Sequence, residues 1–395
     1  MTSHLLPTYK RQPISFTKGA GSYLYTVDGT QYLDALTGIA VCGLGHCHPR
    51  ITAAISEQAA TLVHTSNLFL IDWQETAGKK LCNVAGMDRV FFANSGAEAN
   101  EAALKMARLY ASNRGQSKAR VIVMENSFHG RTLLTVSATA NPTAREGFFT
   151  LDDDFVRVPF GDIDAIKQAL NDYSDICAVM LEPIQGESGV NTAANGFEFL
   201  NQVRQVCDDN QLLMILDEVQ TGNGRTGKYF AYQYSDIKPD ILTTAKGLGN
   251  GFPVGACMTS GIANDIFRYG SHGSTYGGTP LACRVVSEVI DVIQQENLMD
   301  NVNQNSELLI QLLMDSLASD GVTVRGKGMM LGVVLPTDRN IDFSKLVDIA
   351  RDEHQLIINV AGGNAIRLLP PLNMKTSEIE DLAARLIKLI TSQLA

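Results

Sequence analysis

Nothing in this sequence suits a membrane span, since no apolar run approaches the roughly 20 residues that cross a bilayer. Internal repeats, low-complexity tracts and Pro/Ser-rich linkers are also missing, which excludes solenoids and tethered modules. The pattern favours reduced thiols over a disulfide framework: the seven cysteines (42, 47, 82, 177, 207, 257, 283) include no CxxC pair and are odd in number. Several fall in apolar runs, where a thiol packs as a small core side chain. Positive charge is short as well, 32 Lys and Arg against 42 Asp and Glu, a formal net charge of -10. That balance argues against nucleic acid or an anionic membrane as partner, yet leaves room for basic groups converging on a small acidic substrate. The first residues lack the charged-then-apolar order of a secretory signal, so a cytoplasmic location is expected.

What is present is ordinary for a large soluble enzyme: 395 residues, 45% hydrophobic and 19% charged, enough for two packed domains. Arg89–Ala93, Arg120–Met124, Cys177–Leu181, Leu212–Leu216 and Asp240–Thr244 read as buried strands. Helical patterns at Ala97–Ser112, Ile163–Asn171 and Phe197–Asp209 lie between them. The alternation predicts βαβ units and an α/β fold with a mostly parallel sheet, whose ligands bind beyond the carboxyl ends of the strands. The last third has four helical stretches (Leu281–Glu296, Val302–Leu317, Ser344–His354, Glu378–Leu394) and short strands at Val322–Arg325, Met329–Leu335 and Ala365–Leu368. The expected division is residues 46–280 as a large domain and 281–395 as a smaller α+β domain. Residues 1–45 are expected to pack with the smaller one.

Four places carry chemistry. Lys246 follows a buried strand and precedes Gly247, Gly249 and Gly251, where a partly desolvated amine suits Schiff-base formation; a solvated strand-end lysine is the plainer alternative. Asp217 ends the apolar run Leu212–Leu216 and places a carboxylate at the sheet's mouth, able to pair with a protonated ring nitrogen or simply to cap a turn. A Mg²⁺-holding acid is a rival reading, helped by Gly222-Asn-Gly-Arg-Thr-Gly-Lys228, but that loop lacks the required hydroxyl at Tyr229 and no apolar helix follows. Ser95-Gly96-Ala97 opens an Ala-rich helix after a strand, a phosphate site by its free amides or an ordinary cap. Phe128 and Arg131 sit in a post-strand loop, suited to stacking on a planar ring and to bidentate capture of a carboxylate, or to packing and surface exposure. His46-Cys47-His48 could chelate a metal, but with no third ligand it reads as a structural turn. His129 reads as a loop residue that orients its neighbours.

In this order along one sheet, the four resemble the fold-type I pyridoxal 5'-phosphate (PLP) enzymes, and most closely their class III aminotransferases. The resemblance runs nearly end to end through Asp28-Gly29, Gly45–Pro49, Asn94–Glu101, Phe128–Thr132, Glu182–Glu187, Asp217–Gly222, Lys246-Gly247, Ser274–Gly278 and Arg367. It implies a seven-stranded sheet flanked by helices, PLP on Lys246 as a Schiff base, Asp217 against the ring nitrogen and Gln220 on the phenolic oxygen. It implies Phe128 stacked on the ring and Ser95, Gly96 and Ala97 around the phosphate. Thr275 would reach the phosphate of a neighbouring subunit, so a homodimer with shared sites is expected. Ala97 departs from the Thr of many relatives, which bears on phosphate affinity rather than reaction type.

For substrate, Arg367 resembles the arginine that grips the α-carboxylate of glutamate, and Glu187 the carboxylate that covers it when the substrate has none there. Arg131 would hold the distal carboxylate, with Ser274 also at the substrate. Leu36-Thr-Gly-Ile-Ala-Val41 and the compact length most resemble members that move the terminal amine of N-acetylornithine to 2-oxoglutarate. Ornithine, 4-aminobutyrate and succinyl-diaminopimelate are the alternative amines. A PLP aminomutase or decarboxylase and a non-catalytic binding protein are the alternative functions.

Overall fold

The computed structural model describes residues 4–339 and 341–394. At its centre is a seven-stranded sheet in the order Arg89–Ala93, Gly255–Thr259, Ile241–Thr244, Leu213–Asp217, Ile176–Leu181, Arg120–Met124, Phe155–Val158. Gly255–Thr259 is antiparallel to both neighbours, and the other pairings are parallel. Six strands therefore point one way and end on one edge. Ile176–Leu181 and Leu213–Asp217 are buried along their whole length, as a sheet covered on both faces demands. The covering helices include Gly96–Asn113, Ile163–Asp172 and Glu198–Asp209, within a residue or two of their predicted bounds.

Two strands of this sheet were not expected from the sequence. Phe155–Val158 is a short edge strand interrupted by Arg157, and Gly255-Ala-Cys-Met-Thr259 is poor in the β-branched residues that mark strands. Gly255 is required there, because a Cβ would fall 2.7 Å from the backbone carbonyl carbon of Ser95.

Two smaller sheets lie beside the large one. Thr323–Lys327, Met330–Val334, Ala365–Leu368 and Asn359–Ala361 form an antiparallel sheet. Lys18–Ala20, Tyr23–Tyr25 and Gln31–Asp34 form an antiparallel meander, and Leu356–Ile357 adds to it in parallel with Gln31–Asp34. The N-terminal strands are thus tied to the C-terminal third through main-chain hydrogen bonds. Helices Pro49–Thr61 and Asp72–Ala85 pack on Pro280–Gln295. Residues 1–3 and 395, at the ends of the expected outer segments, lie outside the described residues.

The look-alike phosphate loop is a run of turns leading only to the short 3₁₀ segment Ala231–Tyr234. Its Arg225 is buried, donates to the Met329 carbonyl at 3.2 Å and also bonds the Pro370 carbonyl. That loop stitches the large sheet to the C-terminal segment. His46 Nε2 lies 2.7 Å from Asp34, and His48 Nε2 lies 3.5 Å from Glu296. Among the described residues no group of His, Cys, Asp and Glu could hold a metal, all seven thiols are free, and no helix is long and apolar enough to cross a membrane.

Candidate active site

Asp217 is the last residue of its strand, and buried donors fix its carboxylate. Its Oδ2 accepts from Asn100 Nδ2 at 2.7 Å and lies 2.8 Å from His129 Nδ1, which carries the proton when it faces a carboxylate. Its Oδ1 accepts from the Val219 amide at 3.0 Å. Asn100 is held in turn by Thr243 Oγ1, which donates to its side-chain oxygen at 2.7 Å, and the Asn100 amide also donates to the His129 carbonyl at 2.8 Å. Such a network leaves the carboxylate little rotational freedom. His129 Nε2 is buried with no hydrogen-bond partner among the described residues.

At the adjacent strand-end on the same edge, Ile241–Thr244 delivers Lys246. The lysine adopts φ +48°, a left-handed conformation uncommon outside glycine, and opens the 3₁₀ turn Lys246–Leu248. Among the described residues no hydrogen bond or ion pair holds its Nζ. Burial lowers its pKa from the usual lysine value; Glu187 opposes that shift, Arg367 adds to it, and Asp217 and Glu182 oppose it. The result is an amine more readily deprotonated near neutrality, as a nucleophilic lysine requires.

Across the cavity stands the N-terminus of Gly96–Asn113. Ser95 caps it, its Oγ accepting from the Glu98 amide at 3.2 Å and keeping its own proton to donate. The amides of Gly96 and Ala97 precede any intrahelical acceptor, so they face an anion with the positive end of the helix dipole. Gly96 has no room for a side chain: a Cβ would meet Val219 Cγ1 at 2.8 Å. Lys246, Asp217, Gln220, Val219, Phe128 and Ala97 all line one cavity of about 450 Å³. Arg131, an exposed residue of the same lining, places its guanidinium 5.2 Å from the centre of the Phe128 ring. Glu182, at the end of Ile176–Leu181, accepts from the Phe128 amide at 2.9 Å and the Gly186 amide at 3.1 Å, joining the two loops that flank the cavity. Burial pushes its carboxyl up to about 7.

Behind Gln220 lies an ion pair. Arg367, buried on Ala365–Leu368, donates from Nη1 to Glu187 Oε1 at 2.9 Å, to the Gly186 carbonyl at 3.1 Å and to Gln220 Oε1 at 3.4 Å. Its Nε reaches Asn359 Oδ1 at 3.2 Å. The Glu187 side chain is 36% exposed against 1% for Arg367, so the acid is the partner free to swing away. Burial pushes the Glu187 pKa up, but Arg367, by charge and hydrogen bond, with help from Lys246 and Arg131, holds it below the ordinary value. These two residues are far apart in the chain, and their pairing is a product of the fold.

The family model for class-III aminotransferases matches residues 7–390. The chain belongs to that family. It is 46% identical over 392 residues to the acetylornithine aminotransferase of Nitrosomonas europaea, covering 98% of each chain. It is 42% identical to the acetylornithine/succinyldiaminopimelate aminotransferase of Yersinia pestis, covering 98% of this chain and 95% of the relative. Among solved structures it resembles the ornithine aminotransferase of Toxoplasma gondii, described as holding PLP at partial occupancy in its active site. The TM-score is 0.93 at 32% identity, over 99% of this chain and 92% of that one.

For a class-III aminotransferase, two expected residues stand apart from the cavity. Thr275 is exposed and Ser274 is half-buried in a neighbouring cleft, its Oγ accepting from Asn94 Nδ2 at 3.2 Å and the Gly277 amide at 3.0 Å. One chain does not bring either to Lys246. Conversely, Asn100 and Glu182 were passed over. Asn100 carries the only hint, a polar residue on the buried, alanine-rich face of its helix. Glu182 stands at a strand end like Asp217, and the same signal marks it.

Proposed function

We propose that this chain is a PLP-dependent aminotransferase that converts N-acetylornithine and 2-oxoglutarate into N-acetylglutamate 5-semialdehyde and glutamate, a step of arginine synthesis. One observation carries the reading. A poised amine, a fixed carboxylate and a helix N-terminus share one cavity, beside an arginine whose carboxylate cover can open. PLP fits this donor set: Gly96, Ala97 and Ser95 for its phosphate, Asp217 for its ring nitrogen, Gln220 for its phenolic oxygen, Phe128 and Val219 for its faces. Bound there, PLP supplies an electron sink for the carbon that bears the amino group. With PLP bound, Asp217 would keep the ring nitrogen protonated, and Lys246 Nζ would hold the cofactor between turnovers and move the proton to and from the substrate carbon.

The two half-reactions need different anion sites. A terminal amine carries no carboxylate beside its nitrogen, and Glu187 then stays on Arg367 so that no buried guanidinium is left unpaired. Glutamate brings an α-carboxylate, which takes the place of Glu187. Arg131 holds the distal carboxylate in both cases. The names of the Nitrosomonas europaea and Yersinia pestis relatives support the acetylated amine; the latter name also favours succinyl-diaminopimelate as a second substrate.

A homodimer belongs to this reading, with Thr275 reaching the partner's phosphate. Around Thr275 lie exposed apolar side chains: Leu68 at 88%, Leu70 at 94% and Tyr276 at 65% exposure. Asn67 ties the two segments together by donating to the Ser274 and Gly277 carbonyls, each at 3.0 Å. Exposed apolar side chains on two segments tied together in this way suit burial by a second copy. We also keep the division into a large domain over 46–280 and a smaller one over 281–395, supported by the separate sheets. A cytoplasmic location accords with seven free thiols.

The test is an amino-donor panel with PLP-loaded protein and 2-oxoglutarate: N-acetylornithine, ornithine, 4-aminobutyrate and succinyl-diaminopimelate. Glutamate should form in equal amount to the amine consumed, with the highest kcat/KM for N-acetylornithine. Preference for a non-acylated donor would overturn the substrate assignment, and no glutamate from any donor would overturn the function.

A further inference from the structure

A second cavity, about 320 Å³, is lined in part by Arg131. Phe128 and Arg131 line both cavities, so the two adjoin at this ring and guanidinium. The rest of its wall includes Asn141, Ser188, Ala140 and Pro142, with Glu187 at one side. Resting on the reading that Arg131 grips the distal carboxylate, the chemistry of the donor says what fills this space. In an Nα-acylated amino acid the acylamino group and the carboxylate share one carbon. Fixing the carboxylate on Arg131 therefore puts the acyl amide within a few bonds of the guanidinium, off the line that runs back to Lys246.

Two polar side chains of the second cavity, Asn141 and Ser188, are donors with spare capacity. Asn141 Oδ1 is taken by the Thr143 amide at 3.0 Å, which leaves the side-chain NH₂ to donate. Ser188 Oγ accepts from Asn191 Nδ2 at 2.9 Å, which leaves the hydroxyl proton to donate. An acyl carbonyl is a two-lone-pair acceptor, and Ala140 and Pro142 give a small acyl chain an apolar wall. A cap at the start of Pro142–Arg145 and a tie to Asn191 would need only the acceptor half of each side chain.

We propose that this cavity is the acyl subsite, and that Asn141 and Ser188 are specificity-determining residues that donate to the acyl carbonyl of the amine substrate. The test uses PLP-loaded enzyme, wild type, Asn141→Ala and Ser188→Ala, with 2-oxoglutarate as acceptor. The quantity read is the ratio of kcat/KM for N-acetylornithine to that for ornithine. Each substitution should lower this ratio about three- to tenfold, the size of one hydrogen bond. General damage to the loop would depress both donors together, so a parallel loss leaving the ratio at the wild-type value in both variants overturns the subsite. If instead wild-type enzyme shows no preference for the acetylated donor, the substrate reading beneath it fails first. A wild-type preference that survives both substitutions sinks the subsite alone.

Discussion

At the scale of single residues, this site works by holding some groups still and leaving one able to move. Asp217 has a donor on one oxygen and two on the other, so its charge stays aimed into the cavity. Glu187 has one strong partner and solvent on the other side. Removing the Glu187 carboxylate should leave Arg367 permanently uncovered, with only the Gly186, Gln220 and Asn359 oxygens near it. In Glu187→Ala, single-turnover rates should shift toward glutamate relative to N-acetylornithine by about tenfold or more, the size of a charge-assisted hydrogen bond. Rapid-mixing absorbance with each donor measures this, and an unchanged ratio of the two rates would remove the switch. Lys246 and Asp217 were legible in the sequence because each follows an apolar strand. The Glu187–Arg367 contact was not, since 180 residues separate its members and only the fold brings them within 2.9 Å.

At the scale of elements, the site is made by where strands end and helices begin. Six strands share a carboxyl edge, and each functional loop leaves from it; the antiparallel Gly255–Thr259 starts at that edge, directly after Phe252, Pro253 and Val254 of the cavity wall, and leads away from it. The helix Gly96–Asn113 is seated so closely on this edge that Gly96 touches Val219, a wall of the cavity. Gly96→Ala should push Val219 toward the cofactor. The expected outcome is a PLP dissociation constant raised about tenfold and a stability loss of about 1–3 kcal/mol, as overpacking usually costs. PLP titration by absorbance and urea unfolding would read the two effects, and neither changing would show that the helix start has slack the structure lacks. Elements with strong periodicity were predicted within a residue or two, including Arg89–Ala93, Arg120–Met124 and Ala365–Leu368. Phe155–Val158 and Gly255–Thr259 escaped because edge position and close packing select short, mixed or small-residue sequences that carry no strand signature.

At the scale of the whole molecule, function depends on joining parts distant in the chain. Arg225 bonds carbonyls of Met329 and Pro370, and the segment that follows Arg367 is pinned to the first forty residues by the Leu369 amide on the Ala35 carbonyl at 2.7 Å. These ties set the distance between the arginine on the small sheet and the lysine on the large one. In the proposed homodimer, a second copy seated on the exposed apolar side chains near Thr275 would complete the site and would account for the position of Ser274 and Thr275 outside one chain's cavity. All of this positions one amine. Loading the protein with PLP, reducing it with borohydride, and locating the modified peptide by mass spectrometry tests that directly. The account predicts a single pyridoxyl group on Lys246, lost in Lys246→Ala; a stable adduct on another lysine, or none in protein that still produces glutamate, would contradict it.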